Sequence, residues 1–174
     1  MVTSVSSFPP VARRDARALV LGSMPGVASL EAQRYYAHPR NAFWPIMGAL
    51  FGFEAEAPYR QRLVSLRRGG VGLWDVLARC VRPGSLDSDI DPASIVVNDF
   101  AAFFARHRGV ERVLCNGGAA YQLFRRRALP TLGARGASLQ VLQMPSTSPA
   151  NAGTRLAEKL ARWRAGLRPL LEQA

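Results

Sequence analysis

The chain has 174 residues and a formal net charge of +11 at pH 7, because 23 lysine and arginine residues outnumber 12 aspartate and glutamate residues. This length fits one domain, and a composition of 48% hydrophobic and 20% charged residues excludes a disordered chain. No apolar run reaches the roughly 20 residues of a membrane helix, and the N-terminal segment lacks the apolar stretch of a signal peptide. Two cysteines cannot by themselves form a four-ligand zinc or iron–sulfur site. We therefore expect a soluble cytoplasmic protein with no membrane contact and no cysteine-bound cofactor.

The excess of positive charge favours a polyanionic partner. A field of this sign attracts nucleic acid without reading its sequence. Lys159 is the one lysine and every other cationic side chain is an arginine, a bias that a GC-rich genome also produces. A merely basic surface is therefore the alternative to a nucleic-acid partner.

Short apolar runs alternate with helical segments along the chain. Residues 1–16 are interpreted as a flexible tail and 17–174 as a single domain. Strands separated by helices predict a parallel sheet with helices on both faces, and sites in such folds form at the carboxyl ends of the strands. The predicted strands are 18–21, 71–77, 110–115 and 138–144. The predicted helices are 41–51, 58–68 and 118–127. A further helix, capped by Asn98, runs through Phe104, and a last helix begins at 154.

The segment 22–26, Gly-Ser-Met-Pro-Gly, follows the first predicted strand. Its glycines permit positive φ angles and a close approach of a ligand to the backbone. The segment lacks the lysine and threonine of a phosphate-binding P-loop and does not match the dinucleotide-binding fingerprint. It is consistent with either a ligand loop or a tight turn after the strand.

Aromatic and polar residues are dense in 35–44, Tyr-Tyr-Ala-His-Pro-Arg-Asn-Ala-Phe-Trp. A tyrosine beside a polar loop can stack on a nucleobase. The amide of Asn41 can hold a water or a base edge, because it both donates and accepts hydrogen bonds. There are structural alternatives: Phe43 and Trp44 are core residues of the following helix, and Asn41 is the N-cap of that helix.

Acidic residues stand out at two further places. Asp75 lies in an apolar strand, where it either accepts a hydrogen bond from the imino N–H of a base or caps a neighbouring loop. The segment 85–91, Ser-Leu-Asp-Ser-Asp-Ile-Asp, has spacing similar to a calcium loop but lacks the required glycine and the terminal glutamate. We interpret it as a solvated turn.

The segment 145–151, Pro-Ser-Thr-Ser-Pro-Ala-Asn, connects the last predicted strand and helix. Its hydroxyl groups and the free N–H groups of the helix suit a phosphate oxygen, and Pro149 with Ala150 can form a wedge against a base stack. A capping loop is the alternative. Cys80 and Cys115 are interpreted as small buried hydrophobic residues.

The order and spacing of these segments resemble those of the uracil-DNA glycosylase superfamily. The resemblance extends from about Ser7 to Leu167. The similarity is greatest to the deoxyinosine (hypoxanthine) branch, a relative of the mismatch-specific uracil enzymes. It implies a three-layer αβα fold with a central four-stranded parallel sheet, no metal or cofactor, and a monomeric enzyme whose partner is DNA containing a deaminated base. The segments that carry the resemblance are SFPP (7–10), LGSMPG (21–26), YYAHPRNAFW (35–44), GLWDVL (72–77), GSLDSDI (84–90), NG (116–117) and PSTSPAN (145–151).

The resemblance implies a role for individual residues. Asn41 and Ser23 orient the attacking water, Tyr36 stacks on the flipped base, and Asp75 falls on the strand that reads the base. This sequence departs from the family twice, because the first motif lacks the Asp or Asn of many relatives and Met144 replaces a histidine before the second motif. The implied base-binding residues are Tyr36, Asp75, Gly22, Met24 and Asn116, and the implied DNA-binding residues are Pro145, Ser146, Thr147, Ser148, Asn151 and Arg155.

The implied reaction is hydrolysis of the N-glycosidic bond of hypoxanthine in DNA for base excision repair. No lysine in these loops can form a Schiff base, so we expect no strand cleavage. As an acceptor, Asp75 favours hypoxanthine and uracil, because each of these bases has an imino N–H beside a carbonyl. It disfavours adenine, whose corresponding nitrogen is itself an acceptor. The alternatives are a mismatch-type uracil-DNA glycosylase, a non-catalytic nucleic-acid-binding module, and an enzyme acting on a free nucleoside or nucleotide.

Overall fold

The computed structural model describes residues 4–173, and a four-stranded parallel sheet with the strand order β3-β2-β6-β7 lies at its centre. The four predicted strands are confirmed, with boundaries that shift by at most two residues. The strands are β1 (Ser4–Ser6), β2 (Ala18–Gly22), β3 (Val71–Asp75), β4 (Leu77–Val81), β5 (Val96–Val97), β6 (Arg112–Asn116) and β7 (Gln140–Met144), and the helices are α1 (Val27–Ala32), α2 (Phe43–Phe51), α3 (Tyr59–Arg68), α4 (Phe100–Arg106), α5 (Gly118–Leu123), α6 (Gly133–Ala137) and α7 (Leu156–Leu171).

Alternate residues of β2 pack into different apolar clusters. Leu19 and Leu21 join the cluster that includes residues of α4 and α5, and Ala18 and Val20 join the cluster that includes residues of α2, α3 and α7. A strand buried on both faces appears as an unbroken apolar run, which is why the 18–21 run predicted it. The architecture is the expected three-layer αβα fold. Among residues 4–173, no helix combines the length and apolar character needed to cross a membrane.

The register of the parallel sheet brings polar residues to one edge. Gly22 at the end of β2 pairs with Asp75 at the end of β3, and Asn116 at the end of β6 pairs with Met144 at the end of β7. Because parallel strands all end on the same side, the loops that follow them converge there. This edge is where the chain can build a site.

The segment 1–16 differs from the expected flexible tail in the part that the structure describes; residues 1–3 lie outside the described residues. Ser4–Ser6 forms β1 and pairs antiparallel with β4, with Val5 opposite Cys80, and Val11 bridges to Leu73. Backbone hydrogen bonds to distant strands order this stretch, and a local polar pattern does not predict such long-range pairing.

The predicted strand 71–77 is divided between two sheets. It leaves the parallel sheet after Asp75 and continues as β4 in a three-stranded antiparallel sheet of order β1-β4-β5. Asp99, rather than the predicted Asn98, caps α4 by accepting the Ala102 N–H at 2.9 Å. The amide of Asn98 instead donates to the Asp75 carbonyl at 2.8 Å, and this bond holds the end of β3 in place.

Candidate active site at the carboxyl edge of the sheet

A cavity of about 350 Å³ opens at the carboxyl edge of the parallel sheet. Segments that are far apart in sequence converge there, as the resemblance to DNA glycosylases requires. Pro145, Asn151 and Arg155 do not line the cavity. The sequence-predicted site residues that do line it are Gly22, Ser23, Met24, Tyr36, Asn41, Asp75, Asn116, Ser146, Thr147 and Ser148.

Asp75 presents an unpaired carboxyl group at the inner end of this cavity. It is only 3% exposed, and its Oδ2 has no hydrogen-bond partner among the described residues. Its Oδ1 would lie 2.6 Å from a Cβ atom at Gly22, so this arrangement requires glycine at that position. Burial raises the pKa of Asp75 to about 7, against the opposing effect of the Arg82 guanidinium. A buried carboxyl without a partner is available to bind a ligand.

Tyr36 forms an aromatic surface beside Asp75. Its backbone has a left-handed φ of 55°, which is uncommon for a residue with a side chain and is found disproportionately at functional sites. Its ring stacks on Phe43 at a centroid distance of 3.9 Å, and its hydroxyl is buried without a partner among the described residues. Burial and the nearby Asp75 raise the pKa of this hydroxyl well above its usual value, so it remains a neutral donor.

Asn41 is held at the cavity wall by the start of α2. Its Oδ1 accepts the Phe43 N–H at 2.9 Å, and its own N–H donates to the His38 carbonyl at 2.9 Å. The N-cap of α2 is Ala42, so the alternative that Asn41 is the N-cap is wrong, although the Asn41 side chain still bonds to the first residue of α2 and lines the cavity. Because Oδ1 is engaged with the backbone, Nδ2 is the amide atom that is left to bind a ligand.

Asn116 and Thr147 line the cavity and also bind each other. The Asn116 amide accepts the Thr147 N–H at 2.9 Å and donates to Thr147 Oγ1 at 2.8 Å. The Thr147 carbonyl then accepts the Ala42 N–H at 2.9 Å, next to Asn41. Thr147 is 1% exposed. These bonds position the loop and Asn41, and the base contact of Asn116 and the DNA contact of Thr147 stay predictions.

The loop 145–151 is held in place by hydrogen bonds from side chains that do not line the cavity. Pro145 accepts the Trp163 indole N–H at 3.1 Å, and the Asn151 amide donates to the Ser146 carbonyl at 3.0 Å. The Ser148 N–H donates to Ser146 Oγ at 3.2 Å, while both serines remain at the cavity. Pro145 and Asn151 therefore support the loop, and the direct DNA contact expected of them stays a prediction.

Lys159 also contacts this loop. Its ammonium donates to the Asn151 carbonyl at 2.8 Å, and the residue is 6% exposed. Burial lowers its pKa. It does not line the cavity, so the chain's one lysine is not placed to attack a sugar there.

Sequence reasoning missed Arg82, which is 2% exposed. Its guanidinium donates to the Gly84 carbonyl at 2.7 Å, to the Met24 carbonyl at 3.4 Å and to the Pro25 carbonyl. One side chain thus ties the 22–26 loop to the loop after β4. Arginines are almost never fully buried, so no local pattern distinguishes this one from the many exposed arginines of the chain.

Residues 85–89 are exposed, as expected of a solvated turn, and Ser85, Leu86 and Asp87 also line the cavity. Ser85 Oγ accepts the Val27 N–H at 2.9 Å, and Asp87 Oδ1 accepts the Ser23 hydroxyl at 2.5 Å. Desolvation raises the pKa of Asp87, while the Ser23 hydrogen bond and the Arg82 guanidinium oppose that rise. The local pattern of the acidic loop did not indicate these contacts, because both partners are far away in the sequence.

His38 is a further cavity-lining residue that the sequence analysis did not single out. Its Nδ1 accepts the Arg40 N–H at 3.1 Å, so in the neutral ring the proton lies on Nε2. Its position within the 35–44 segment was the available signal. Among residues 4–173, no group of three or more histidine, cysteine, aspartate and glutamate side chains is placed to hold a metal ion.

Replacing Arg82 with methionine should lower the free energy of unfolding by about 2–3 kcal/mol, because buried carbonyls lose charged donors. Urea denaturation at neutral pH measures this loss. The matched control is Arg79→Met, an exposed position in the strand that precedes Arg82, which should change stability by less than about 0.5 kcal/mol. Equal effects of the two substitutions would contradict the structural role of Arg82.

Comparison with known proteins agrees with this geometry. The family model of the uracil DNA glycosylase superfamily matches residues 9–166. Hypoxanthine DNA glycosylase of Methanosarcina barkeri is 37% identical over 111 residues, which cover 63% of this chain and 69% of the relative. Hypoxanthine DNA glycosylase of Methanosarcina acetivorans is 34% identical over 145 residues, which cover 83% and 86%.

A solved structure shares the whole fold. The solution NMR structure of a candidate uracil DNA glycosylase from Methanosarcina acetivorans superposes with a TM-score of 0.81 at 30% identity, covering 97% of this chain and 99% of that one. A family match over most of the chain, relatives above 30% identity and a cavity at the expected sheet edge lead to one assignment. The chain belongs to the uracil DNA glycosylase superfamily.

Proposed function

We propose that the protein is a monofunctional DNA glycosylase that hydrolyses the N-glycosidic bond of hypoxanthine in DNA. The observation that carries this proposal is the convergence of Tyr36, Asn41 and Asp75 on one cavity. The aromatic ring can stack on a base, the fixed amide can hold a water, and the unpaired carboxyl can bind a base edge. The relatives named hypoxanthine DNA glycosylase support the choice of base.

The base must leave the duplex to reach these groups, at a cost of a few kcal/mol. A cavity of about 350 Å³ is at the lower end of the range for small-molecule sites, which suits a single nucleobase. Phe43 stacks against the Tyr36 ring, so this ring is held in place before the base binds. Stacking on such a ring is worth about 1–3 kcal/mol and repays part of the flipping cost.

Hypoxanthine has an imino N–H beside a carbonyl. The neutral Asp75 carboxyl offers an acceptor for the N–H and a donor for the carbonyl, so one buried group matches both polar groups of the base. Leaving its Oδ2 without a partner in the empty site is unfavourable, so binding the correct base removes a penalty as well as adding bonds.

Cleavage leaves positive charge on the sugar, and Asn41 holds the water that captures it. An amide is a poor base, so Asn41 acts by orientation. Arg40 and Arg155 are exposed beside the cavity segments and are placed to hold phosphates, together with Ser146 and Ser148. In the described residues only three ion pairs are formed, so most arginines remain available to a polyanion.

The test is a side-by-side comparison of duplexes that contain inosine, uracil or xanthine, each treated with alkali after incubation. We expect abasic sites in the inosine duplex at the highest rate, and no strand cleavage before alkali. A uracil preference would favour the mismatch-type alternative, since Asp75 by itself binds either base. Absence of abasic sites from every duplex would contradict the proposal. The monomeric state and the cytoplasmic location remain predictions.

A further inference from the structure

Hydrolysis of a glycosidic bond requires a proton acceptor. When water adds to the sugar, it must lose a proton, and the Asn41 amide cannot take it. The tyrosine hydroxyls at the cavity, Tyr35 and Tyr36, have pKa values raised by burial and stay protonated. The remaining titratable side chains that line the cavity are His38, Asp75 and Asp87.

Two of these three are committed elsewhere. The Nδ1 atom of His38 already accepts the Arg40 N–H, so its other ring nitrogen carries the proton and can only donate. Asp75 lies at the end of β3 against Gly22 and Tyr36, where the proposed function assigns it to the base. This leaves Asp87 as the acceptor.

Asp87 has the surroundings of a functional carboxylate. The Ser23 hydroxyl donates to its Oδ1 at 2.5 Å and fixes the group, while its Oδ2 has no hydrogen-bond partner among the described residues. Arg82 anchors its loop to the 22–26 loop. Asp87 as a residue is exposed, but desolvation of its carboxyl by neighbouring groups raises its pKa, which makes the carboxylate a better proton acceptor than one in water, and Ser23 and Arg82 limit that rise.

We propose that Asp87 is a further catalytic residue, whose carboxylate accepts the proton of the attacking water, and that Ser23 positions it. This inference rests on the proposed function. The water oxygen bonds to the sugar C1′, and the C1′–N bond breaks with its electron pair going to the base. The proton of the water goes to Asp87 Oδ2, the departing base takes a proton from solvent, and Asp87 later returns its proton to solvent.

The test compares Asp87→Asn with Asp89→Asn. Asparagine at position 87 still accepts the Ser23 hydroxyl but cannot take a proton. Asp89 belongs to the same acidic loop, carries the same charge and does not line the cavity. Single-turnover excision of hypoxanthine should fall by about 10²-fold in Asp87→Asn and should stay within about threefold of wild type in Asp89→Asn.

Two further readouts separate catalysis from a structural role. Affinity for a duplex with a non-cleavable inosine analogue should match between the two variants, because both remove one negative charge from the same surface. The wild-type rate should decrease as the pH falls and Asp87 becomes protonated, and Asp87→Asn should lack that decrease.

Three results would overturn the inference. They are Asp87→Asn activity equal to that of Asp89→Asn, a rate loss accompanied by an equal loss of binding, and an acidic limb of the pH profile that persists in Asp87→Asn. A wild-type protein that is inactive on every deaminated base would overturn the proposed function itself. An active wild type with an unaffected Asp87→Asn would overturn only the role of Asp87.

Discussion

Replacing Asn41 with alanine should reduce hypoxanthine excision by about 10²- to 10³-fold, the loss typical of a preorganised polar group that acts at the reacting centre. Asn41 reaches the cavity from the start of α2, and its backbone N–H bonds to the His38 carbonyl. Duplex binding should change little, because the proposed phosphate contacts come from other residues. Single-turnover rates and equilibrium binding of a non-cleavable duplex measure the two effects separately.

Asn41→Asp is the control that separates catalysis from the hydrogen bond at the start of α2. Aspartate retains an acceptor for the Phe43 N–H but replaces the Nδ2 donor with an oxygen. It should keep the stability of the wild type and still lose activity, whereas Asn41→Ala should also lose about 1 kcal/mol of unfolding free energy with that hydrogen bond. Full activity in either variant would contradict the assignment of Asn41.

Much of the fold could be predicted because its signals are local. The run 18–21 is apolar at every position, since β2 is buried on both faces, and glycine ends it where the chain must approach Asp75 closely. Parallel strands then place all the following loops at one edge. This geometric rule, together with the spacing of the motifs, brought Tyr36, Asn41 and Ser146 to one cavity.

What could not be predicted depends on pairing between distant segments. Arg82 is buried because carbonyl groups of two loops surround its guanidinium, and no pattern near residue 82 shows this. Asp87 contacts Ser23, so the acidic segment by itself did not indicate a place at the cavity. β1 is ordered by β4, and Asn116 is engaged by Thr147. In each case at least one partner lies more than thirty residues away.

Asp75 should give the activity a pH dependence that asparagine removes. Its pKa of about 7 means that the carboxyl is mostly neutral at pH 6 and mostly ionised at pH 8. A neutral carboxyl offers a donor and an acceptor side by side, which match the carbonyl and the imino N–H of hypoxanthine, whereas the ionised form repels the carbonyl. The wild-type value of kcat/KM should therefore fall by about tenfold between pH 6 and pH 8.

Asp75→Asn presents the same donor and acceptor at every pH. It should keep the activity of the wild type at pH 6 and show no decline up to pH 8, while Asp75→Leu, which has no polar group, should lose about 10²-fold or more because the buried edge of the base is left unpaired. Activity of Asp75→Leu equal to that of the wild type would contradict base reading by this residue. Any decline shared by the wild type and Asp75→Asn belongs to the substrate.

Protein stability provides an independent check with a defined sign. The folded carboxyl holds its proton up to about pH 7, whereas the unfolded one releases it near its ordinary value of 3.8, so the folded state binds more protons between these values. Stability should therefore fall as the pH rises from about 4 to about 7, by roughly 4 kcal/mol relative to Asp75→Asn. If instead activity rises between pH 6 and pH 8 and Asp75→Asn is inactive, the ionised carboxylate accepts the imino N–H, and base reading by the neutral carboxyl is contradicted.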